Sequence, residues 1–392
     1  MGKNLKDIFS LYPHVTLATH AENDELLAFY HKTELSAESN SVIYQRGSDF
    51  FKFLQERSDH FMVFALRDDE KMLKGLGVLS FRPGYINGVL TTIGYLGDLR
   101  ISMNRKLIRE WRQFYGALIH YSPELPETEY CRYFQTAIIA ANRYSKNNLV
   151  ETKIPNLAYS EFAPYKMINI VGLWSLKKTV PSHVRWADVN DRNALISFLN
   201  EDHQKRFFGI DWEQEFDRRL KTWSHFSIQD YFIVHDSRDR NKILAAGSVW
   251  NPIESKQILV PRIPAFIRFL SQIASAVPGF LVKPAPIAMK PIEILYLNQI
   301  SFAPGLVFKE KRKILKSIIQ MIFSRNFERD FNMLAYCDFE RDNLLANANY
   351  LVSQKMPMGL FTVHHKDKNG IIRDEINLKE KNLSPAFDIA LV

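Results

Sequence analysis

Two stretches of the sequence place several cations at the start of a helix that directly follows an apolar strand. The strands are residues 91–101 and 293–302, and the cations after them are Arg105, Lys106, Arg109, Arg112, Lys311, Arg312, Lys313 and Lys316. A helix N-terminus presents free N–H groups and the positive end of a dipole, so added cations there suit a phosphate group. One basic helix start is usually a solvated face. The same position in both stretches favours phosphate binding.

Asp98 is the chemically notable residue of the first of these strands, because a carboxylate stands there among apolar residues. It has two interpretations: a catalytic residue, or a structural ion pair with Arg100 on the same strand face. Cys337 is interpreted as an inert buried thiol. His364 and His365 have no cysteine or carboxylate at ligand spacing, so no metal site is predicted.

Length and composition predict a globular protein of two domains. The chain has 392 residues, a length that exceeds what one hydrophobic core usually supports. Of these residues, 46% are hydrophobic and 24% are charged, as in ordinary globular proteins. Its net charge of +8 favours anionic partners such as phosphorylated cofactors, nucleic acid or acidic membrane. Cys131 and Cys337 lie in apolar runs and suggest no disulfide. With no secretion signal and no spanning segment of about 20 apolar residues, a cytoplasmic protein is expected.

The order of the expected elements occurs twice along the chain. Gly247 lies 170 positions after Gly77, whereas Asn343 lies 201 positions after Asn142. The additional positions fall between residues 251 and 293, in an apolar stretch that contains several prolines. This pattern predicts two copies of one unit, residues 1–176 and 182–392, with an insertion at 254–291 in the second. The insertion is expected to pack across the cleft or in a homodimer interface, with acidic membrane as the alternative.

The repeated order is strand, helix, helix, three strands, helix, strand, helix, strand, and it resembles the GNAT (N-acetyltransferase) fold. Its occurrence twice resembles the tandem GNAT acyltransferases. The resemblance implies an α/β (α+β) protein of two tandem GNAT domains, each a mixed twisted sheet flanked by helices, with a helical insertion in the second. Residues 94–102 look like the strand that leads into the family's CoA pyrophosphate loop. Residues 343–350 fit its N-x-x-A-x-x-x-Y helix.

The resemblance also implies a cofactor, which is acetyl-CoA or another acyl-CoA, and no metal. In such a site two neighbouring strands separate, the open main chain binds the pantetheine arm, and a helix start binds the pyrophosphate. The residues at these positions are Leu99, Arg100, Ile101, Ser102, Arg105, Lys106, Leu107, Ile108, Arg109, Asn142, Ile300, Ser301, Phe302 and Asn343. The family implies Tyr350 as the acid for the leaving thiolate, and Asp98 is the nearest candidate in the first copy for the base that deprotonates the amine. A core tyrosine is the alternative for Tyr350.

Both expected pyrophosphate loops depart from the family pattern R/Q-x-x-G-x-G/A. Residues 103–111 contain no glycine, and residues 303–311 contain only Gly305, at a different place. Large side chains at Leu107 and Arg109 would crowd a phosphate, while the neighbouring cations would hold the same anion by their side chains. The loop favours the first copy as the cofactor site, and Tyr350 favours the second.

The leading functional prediction is an acyl-CoA-dependent N-acetyltransferase with one active copy, acting on a small-molecule or peptide amine. A non-catalytic GNAT-like binding protein that has lost CoA binding is the first alternative, because the loops lack glycine. An aminoacyl-tRNA-dependent transferase of the paired-GNAT type is the second, because a basic surface suits tRNA.

Overall fold

The computed structural model describes residues 4–32, 43–102, 104–140, 142, 146–151, 154, 156–174, 182–262, 280–325, 330–366 and 384–392. Among these residues, the strands in chain order are β1 Val15–Leu17, β2 Ile43–Arg46, β3 His60–Arg67, β4 Leu73–Ile86, β5 Val89–Ile101, β6 Tyr133–Ile139, β7 Leu157–Trp174, β8 Val184–Trp186, β9 Gly209–Ile210, β10 Tyr231–His235, β11 Ile243–Trp250, β12 Lys256–Leu259, β13 Phe280–Val282, β14 Ile294–Leu297, β15 Ser301–Phe302, β16 Met333–Phe339 and β17 Leu351–His365. The α-helices are α1 Leu5–Leu11, α2 Asn23–Lys32, α3 Lys52–Arg57, α4 Arg105–Tyr121, α5 Arg192–His203, α6 Trp212–Thr222 and α7 Phe308–Ser324.

Fifteen of the described strands form one continuous mixed sheet with helices packed against it. Its strand order is β1-β3-β4-β5-β6-β17-β7-β16-β14-β11-β10-β8, with β9, β13 and β15 paired at its sides. Counted inward from either edge, strands of the two halves of the chain occupy equivalent places, β1 with β8 and β5 with β14. The mixed α/β architecture with flanking helices agrees with the predicted fold class.

The two longest strands exchange places at the centre of the sheet. β17 lies antiparallel to β6 of the first half, with Val363 opposite Phe134. β7 in turn lies antiparallel to β16 of the second half, with Leu334 opposite Ile170. β7 and β17 also pair with each other along nearly their whole length. Each half of the chain is therefore completed by a strand from the other half.

Helices α4 and α7 occupy equivalent positions, each after the strand that the sequence marks as apolar. Their buried residues recur at three-and-four spacing, as expected for a helix with one apolar face. In α4 these are Leu107, Trp111, Phe114, Tyr115 and Leu118, and in α7 they include Ile314, Leu315, Ile318, Ile319 and Ile322. This apolar stripe fixes which face of each helix lies against the sheet.

Two segments of the second half differ from the sequence prediction. Residues 343–350, expected to form a helix, form consecutive turns in which Asn343 and Asn347 have φ of 43° and 56°. The Asp338 carboxylate accepts bonds from the N–H groups of Leu344 and Leu345 at 2.8 and 2.9 Å. A local side-chain acceptor thus competes with helix formation. The expected strand 293–302 is also interrupted, and β14 and β15 pair with separate parts of β11.

The described parts of the insertion contact the first half of the chain. β12 pairs with β2 in a separate two-stranded ribbon, and β13 pairs with β7. Residues 263–279, which include the expected apolar helix, lie outside the described residues. Within the described ranges, no helix has the length and apolar character required to cross a membrane.

Candidate active site between β5 and β6

The parallel pair β5–β6 separates partway along its length. Hydrogen bonding between the two strands covers only three residue pairs and ends where Tyr95 lies opposite Gln135. Beyond this point β5 continues to Ile101 on the edge of β4, and β6 continues to Ile139 on the edge of β17. The two strands therefore face each other across a cleft. The hydroxyl of Thr136 donates to the Leu96 carbonyl at 2.7 Å just past the last pair.

A β-bulge at Asp98 and Leu99 accompanies this separation. Arg100 pairs with Leu76 and Gly97 pairs with Val78, so two residues of β5 stand opposite the single residue Gly77. Asp98 has φ of 54°, a left-handed conformation that aspartate tolerates better than most residues. A bulge bends its strand and redirects a side chain. Here it directs the Asp98 carboxylate to the arginines of neighbouring elements.

A cavity of about 230 Å³ lies at the cleft. Aromatic and aliphatic side chains of β3, α4, β6 and β7 form much of its wall: Phe64, Trp111, Phe114, Tyr115, Leu118, Ile138 and Tyr159. The Tyr159 and Tyr115 hydroxyls are 3.1 Å apart within this wall. Burial raises the pKa of Tyr95, which also lines the cavity, to about 12. The wall is suited to an apolar group.

Three cations from separate elements meet beside Asp98, and we call Arg46, Arg57 and Lys256 the cationic cluster. Arg46 of β2 forms an ion pair with Asp98, and Arg57 Nη1 lies 3.5 Å from the same carboxylate. The Tyr30 hydroxyl donates to Asp98 at 3.1 Å. Burial alone would raise the pKa of Asp98, but Arg46 and Arg57 lower it below its usual value. Asp98 is therefore ionised at neutral pH, and its partners are these arginines.

The second half of the chain contributes the third cation. Lys256 begins β12, lines the cavity and donates to the main-chain oxygens of Ala390, at 3.2 Å, and Val392. Arg57 Nε donates to the Leu391 carbonyl at 2.8 Å. Burial lowers the pKa of Lys256 well below its usual value, and Arg46 lowers it further. Residues 389–392 and β12 thus close the first half's cavity from the side of the second half.

The start of α4 is held by its own cap. The Asn104 side chain accepts from the N–H groups of Lys106 and Leu107 at 3.0 and 3.2 Å. Leu107 is buried and Ile108 partly buried, whereas Arg105 and Arg109 are exposed. The Ser102 N–H donates to the Lys74 carbonyl at 2.7 Å.

The carboxylate of Asp69 limits the basic character of this helix start. Lys106 Nζ lies 3.0 Å from Asp69, which also accepts from His14. The main-chain N–H groups of Lys106 and Leu107 are already bonded to Asn104, so a phosphate at this place would depend mainly on the side chains of Arg105 and Arg109.

The equivalent region of the second half holds a much smaller cavity, of about 50 Å³. Ile300 and Phe302 line it together with Gln299, which occupies the place of Asp98. The Gln299 amide donates to the Pro385 carbonyl at 2.9 Å and accepts from the Phe387 N–H at 2.8 Å. Ser301 is fully buried in β15. The residues around Gln299 are thus occupied by the chain's own segment 384–392.

The structure does not bring the two predicted catalytic residues into one site. Tyr350 belongs to the second half, lies under the ammonium of Lys316 at 4.6 Å, and is not among the residues that line either cavity. Burial raises its pKa. Asn343 belongs to a turn of the same half, whereas Asn142 lines the large cavity with Leu99 and Arg100.

Arg46, Arg57 and Lys256 were missed by sequence reasoning. Their positions are far apart, so no spacing in the sequence links them. The remaining candidates are structural: Cys131 and Cys337 are free and buried. Among the described residues, no three His, Cys, Asp or Glu side chains are grouped so as to hold a metal ion.

Comparison with solved structures identifies the fold. N-myristoyltransferase from Saccharomyces cerevisiae with bound myristoyl-CoA superposes with a TM-score of 0.56 at 9% identity, over 95% of this chain and 89% of that chain. A second structure of that enzyme with myristoyl-CoA gives a TM-score of 0.57 at 8% identity, over 95% and 85%. No family model matches the sequence, and no curated protein matches it. The chain has the fold of the GNAT-type N-acyltransferases.

Proposed function

We propose that this protein transfers an acyl group from an acyl-CoA to an amine, with the thioester bound between β5 and β6. The observation that carries the proposal is the cleft itself, in which two open strand edges face each other over an apolar cavity. An open strand edge offers N–H and C=O groups to an extended chain that contains amides, and the pantetheine arm is such a chain. The proposal includes the two units, residues 1–176 and 182–392, with the insertion 254–291.

The acyl group would lie against the apolar wall formed by Phe64, Trp111, Phe114 and Leu118. A single water molecule needs about 10–15 Å³ of such volume, so an acetyl group of three heavy atoms would fill only part of the 230 Å³. We therefore propose a donor with a longer apolar acyl chain, with acetyl-CoA as the poorer donor. The similarity of the fold to an enzyme solved with myristoyl-CoA supports this choice.

The chemical step needs a proton acceptor close to the attacking amine. The ionised carboxylate of Asp98 lies at the bulge and lines the cavity. In the proposed reaction the amine nitrogen attacks the thioester carbonyl carbon, the C–S bond breaks, and CoA leaves as thiolate. The proton lost from nitrogen passes to Asp98. Arg105 and Arg109 would hold the pyrophosphate by their side chains.

A specific observation favours the alternative of a binding protein without catalysis. Asn104 already bonds two of the N–H groups at the start of α4 that a pyrophosphate would otherwise accept from. If this cap abolishes CoA binding, the cleft serves another ligand.

Calorimetric titration with acetyl-CoA, octanoyl-CoA and myristoyl-CoA separates these functions. We expect binding that tightens with chain length and is lost in Ala137→Trp, which places an indole in the large cavity. Phe302→Trp in the small cavity of the second half is the matched control and should bind normally. No binding of any thioester by the unaltered protein would refute acyl-CoA-dependent transfer and leave the non-catalytic alternative. Release of CoA thiol on adding amines then tests turnover.

A further inference from the structure

The cationic cluster carries more positive charge than the side chains around it neutralise. Arg46, Arg57 and Lys256 are 4%, 5% and 8% exposed, respectively. Of the described side chains that line the cavity, Asp98 alone carries a carboxylate. Buried charges need a partner of opposite sign, because their transfer from water is costly. Arg46 and Arg57 place two buried guanidinium groups beside this one side-chain carboxylate, which neutralises only one of them.

The other contacts of the cationic cluster neutralise only part of its positive charge. Phe53 lies among all three cations, with its ring centroid 4.1 Å from Arg46, 4.8 Å from Arg57 and 5.6 Å from Lys256. A ring face and main-chain oxygens attract cations through partial charges, which are weaker than a full negative charge. The Arg46 Nε is buried and has no hydrogen-bond partner among the described residues.

We infer that the cationic cluster binds the carboxylate of the acyl acceptor, so that the acceptor is an amino acid or a similar amine with a nearby carboxylate. This inference rests on the proposed function and specifies its acceptor. A planar carboxylate matches the fork of donors that an arginine presents, and Lys256 adds a further donor from the second half of the chain. The cluster lines the same cavity as the open strand edges, as the proximity of acceptor and thioester requires.

Asp98 supports a zwitterionic acceptor rather than a simple anion. A free amino acid carries an ammonium and a carboxylate separated by one carbon, and the site offers one carboxylate beside several cations. Asp98 would attract the ammonium and the cluster would bind the carboxylate. An internal or N-terminal amine of a peptide has no carboxylate on the same carbon. The cluster therefore discriminates against peptides in favour of free amino acids.

The test measures CoA thiol release from the best-bound thioester with three acceptor sets: the twenty amino acids, their amides, and the corresponding decarboxylated amines. We expect kcat/KM at least tenfold higher for some amino acid than for its amide. Lys256→Met should raise KM for that amino acid at least tenfold and leave KM for the amide nearly unchanged. Lys256→Arg should restore the preference. Lys221→Met, an exposed lysine of α6, is the control.

Equal rates with amino acids, amides and amines would overturn the inference while leaving acyl transfer intact. Thermal shift of the complex with bound thioester provides a readout that does not need turnover. Stabilisation by an amino acid and not by its amide, lost in Lys256→Met, supports the carboxylate site even if the chemical step is undetectable. The absence of stabilisation by any amino acid, together with the absence of turnover, overturns it.

Discussion

Lys256 lies directly opposite Arg46 in the antiparallel ribbon of β2 and β12. Like charges at directly opposed positions of a strand pair destabilise it, and burial increases the effect. The pairing joins the insertion of the second half to the edge of the first half's cavity. The edge of the cavity therefore includes a contact that costs stability.

Lys256→Met should remove a pH dependence of stability. Because burial lowers the pKa of folded Lys256 while the unfolded pKa stays near 10.4, the unfolded state binds the additional proton between these values. The free energy of unfolding therefore rises with pH, by at most about 1.4 kcal/mol per unit, until about pH 10. Urea unfolding at pH 8, 9 and 10 should show this rise towards pH 10 in the unaltered protein relative to Lys256→Met. If the free energy of unfolding changed equally with pH in both proteins, the lowered pKa of Lys256 would be contradicted. The control Lys221→Met should show the same pH dependence as the unaltered protein.

Glu215 should make stability sensitive to acid. Arg218 and Arg219 contact its carboxylate at 2.7 Å and lower its pKa to about 2, against the opposing effect of burial. A depressed carboxyl pKa contributes stability above about pH 4.5, and that contribution is lost as the pH falls towards 2. We expect Glu215→Gln to lower the free energy of unfolding by about 3 kcal/mol at pH 6. The difference in the free energy of unfolding between Glu215→Gln and the unaltered protein should be smaller at pH 3.5.

The matched control for this experiment is Glu254, whose pKa is also lowered to about 2, by hydrogen bonds from Lys52 and His225. Its side chain is 32% exposed, so solvent screens the pair. Glu254→Gln should change the free energy of unfolding by less than about 1 kcal/mol. Equal effects of the two substitutions would show that burial does not strengthen the Glu215 pairs.

Gly77→Ala should destabilise the bulge region. A Cβ at Gly77 would lie 2.7 Å from Cζ2 and 2.8 Å from Cη2 of Trp111, closer than atoms can pack. Displacement of the indole should lower the free energy of unfolding by about 1–3 kcal/mol, measured by urea titration. Trp111→Phe removes the clashing atoms, so the double variant should lose less than the sum of the single losses. If the stability losses of the two single variants added fully in the double variant, the contact with Trp111 would be excluded as the cause of the Gly77→Ala loss.

Thr136→Val should weaken the contact that bridges the mouth of the cleft. The Thr136 hydroxyl is buried and bonds the Leu96 carbonyl, and valine has the same shape without a donor. A loss of about 1 kcal/mol is expected in thermal or urea unfolding. Thr136→Ser keeps the donor and should retain most of that stability. An unchanged stability of the valine variant would show that the hydroxyl does not contribute to closing the cleft.

The fold class could be predicted because its signals are local and occur twice. The apolar stripe of α4 specifies a helix face, and the offset between Gly77 and Gly247 marks equivalent strands, in both of which the glycine faces an irregularity of its neighbour. The expected helix at residues 343–350 was wrong because Asp338, at the end of the preceding strand, bonds the main chain of the turn. The sequence pattern of residues 343–350 alone does not show that the Asp338 carboxylate competes with helical hydrogen bonds for these N–H groups.

The candidate site could be predicted only in part. Asp98 and the strand exit are adjacent in sequence, and their likeness to a known pattern could be seen. Its partners Arg46 and Arg57 belong to other elements, and Lys256 reaches the cavity only because β12 crosses to β2. The alternative of an ion pair between Asp98 and Arg100 stays a prediction, and Arg100 lowers the pKa of Asp98 together with Arg46 and Arg57. The guanidinium of Arg100 also donates to the carbonyl of Tyr30.

The exchanged position of β7 and β17 determines how the chain could be divided. A fragment that ends after β7 would retain β6 without its neighbour β17, and its own β7 would have no β16 to pair with. The fragment that begins after β7 would retain β17 without its neighbours β6 and β7, and β16 without its neighbour β7. Each would expose long edges that invite aggregation. Only fragments produced together would supply every strand with both neighbours, so the halves are mutually dependent in folding although their arrangements are alike.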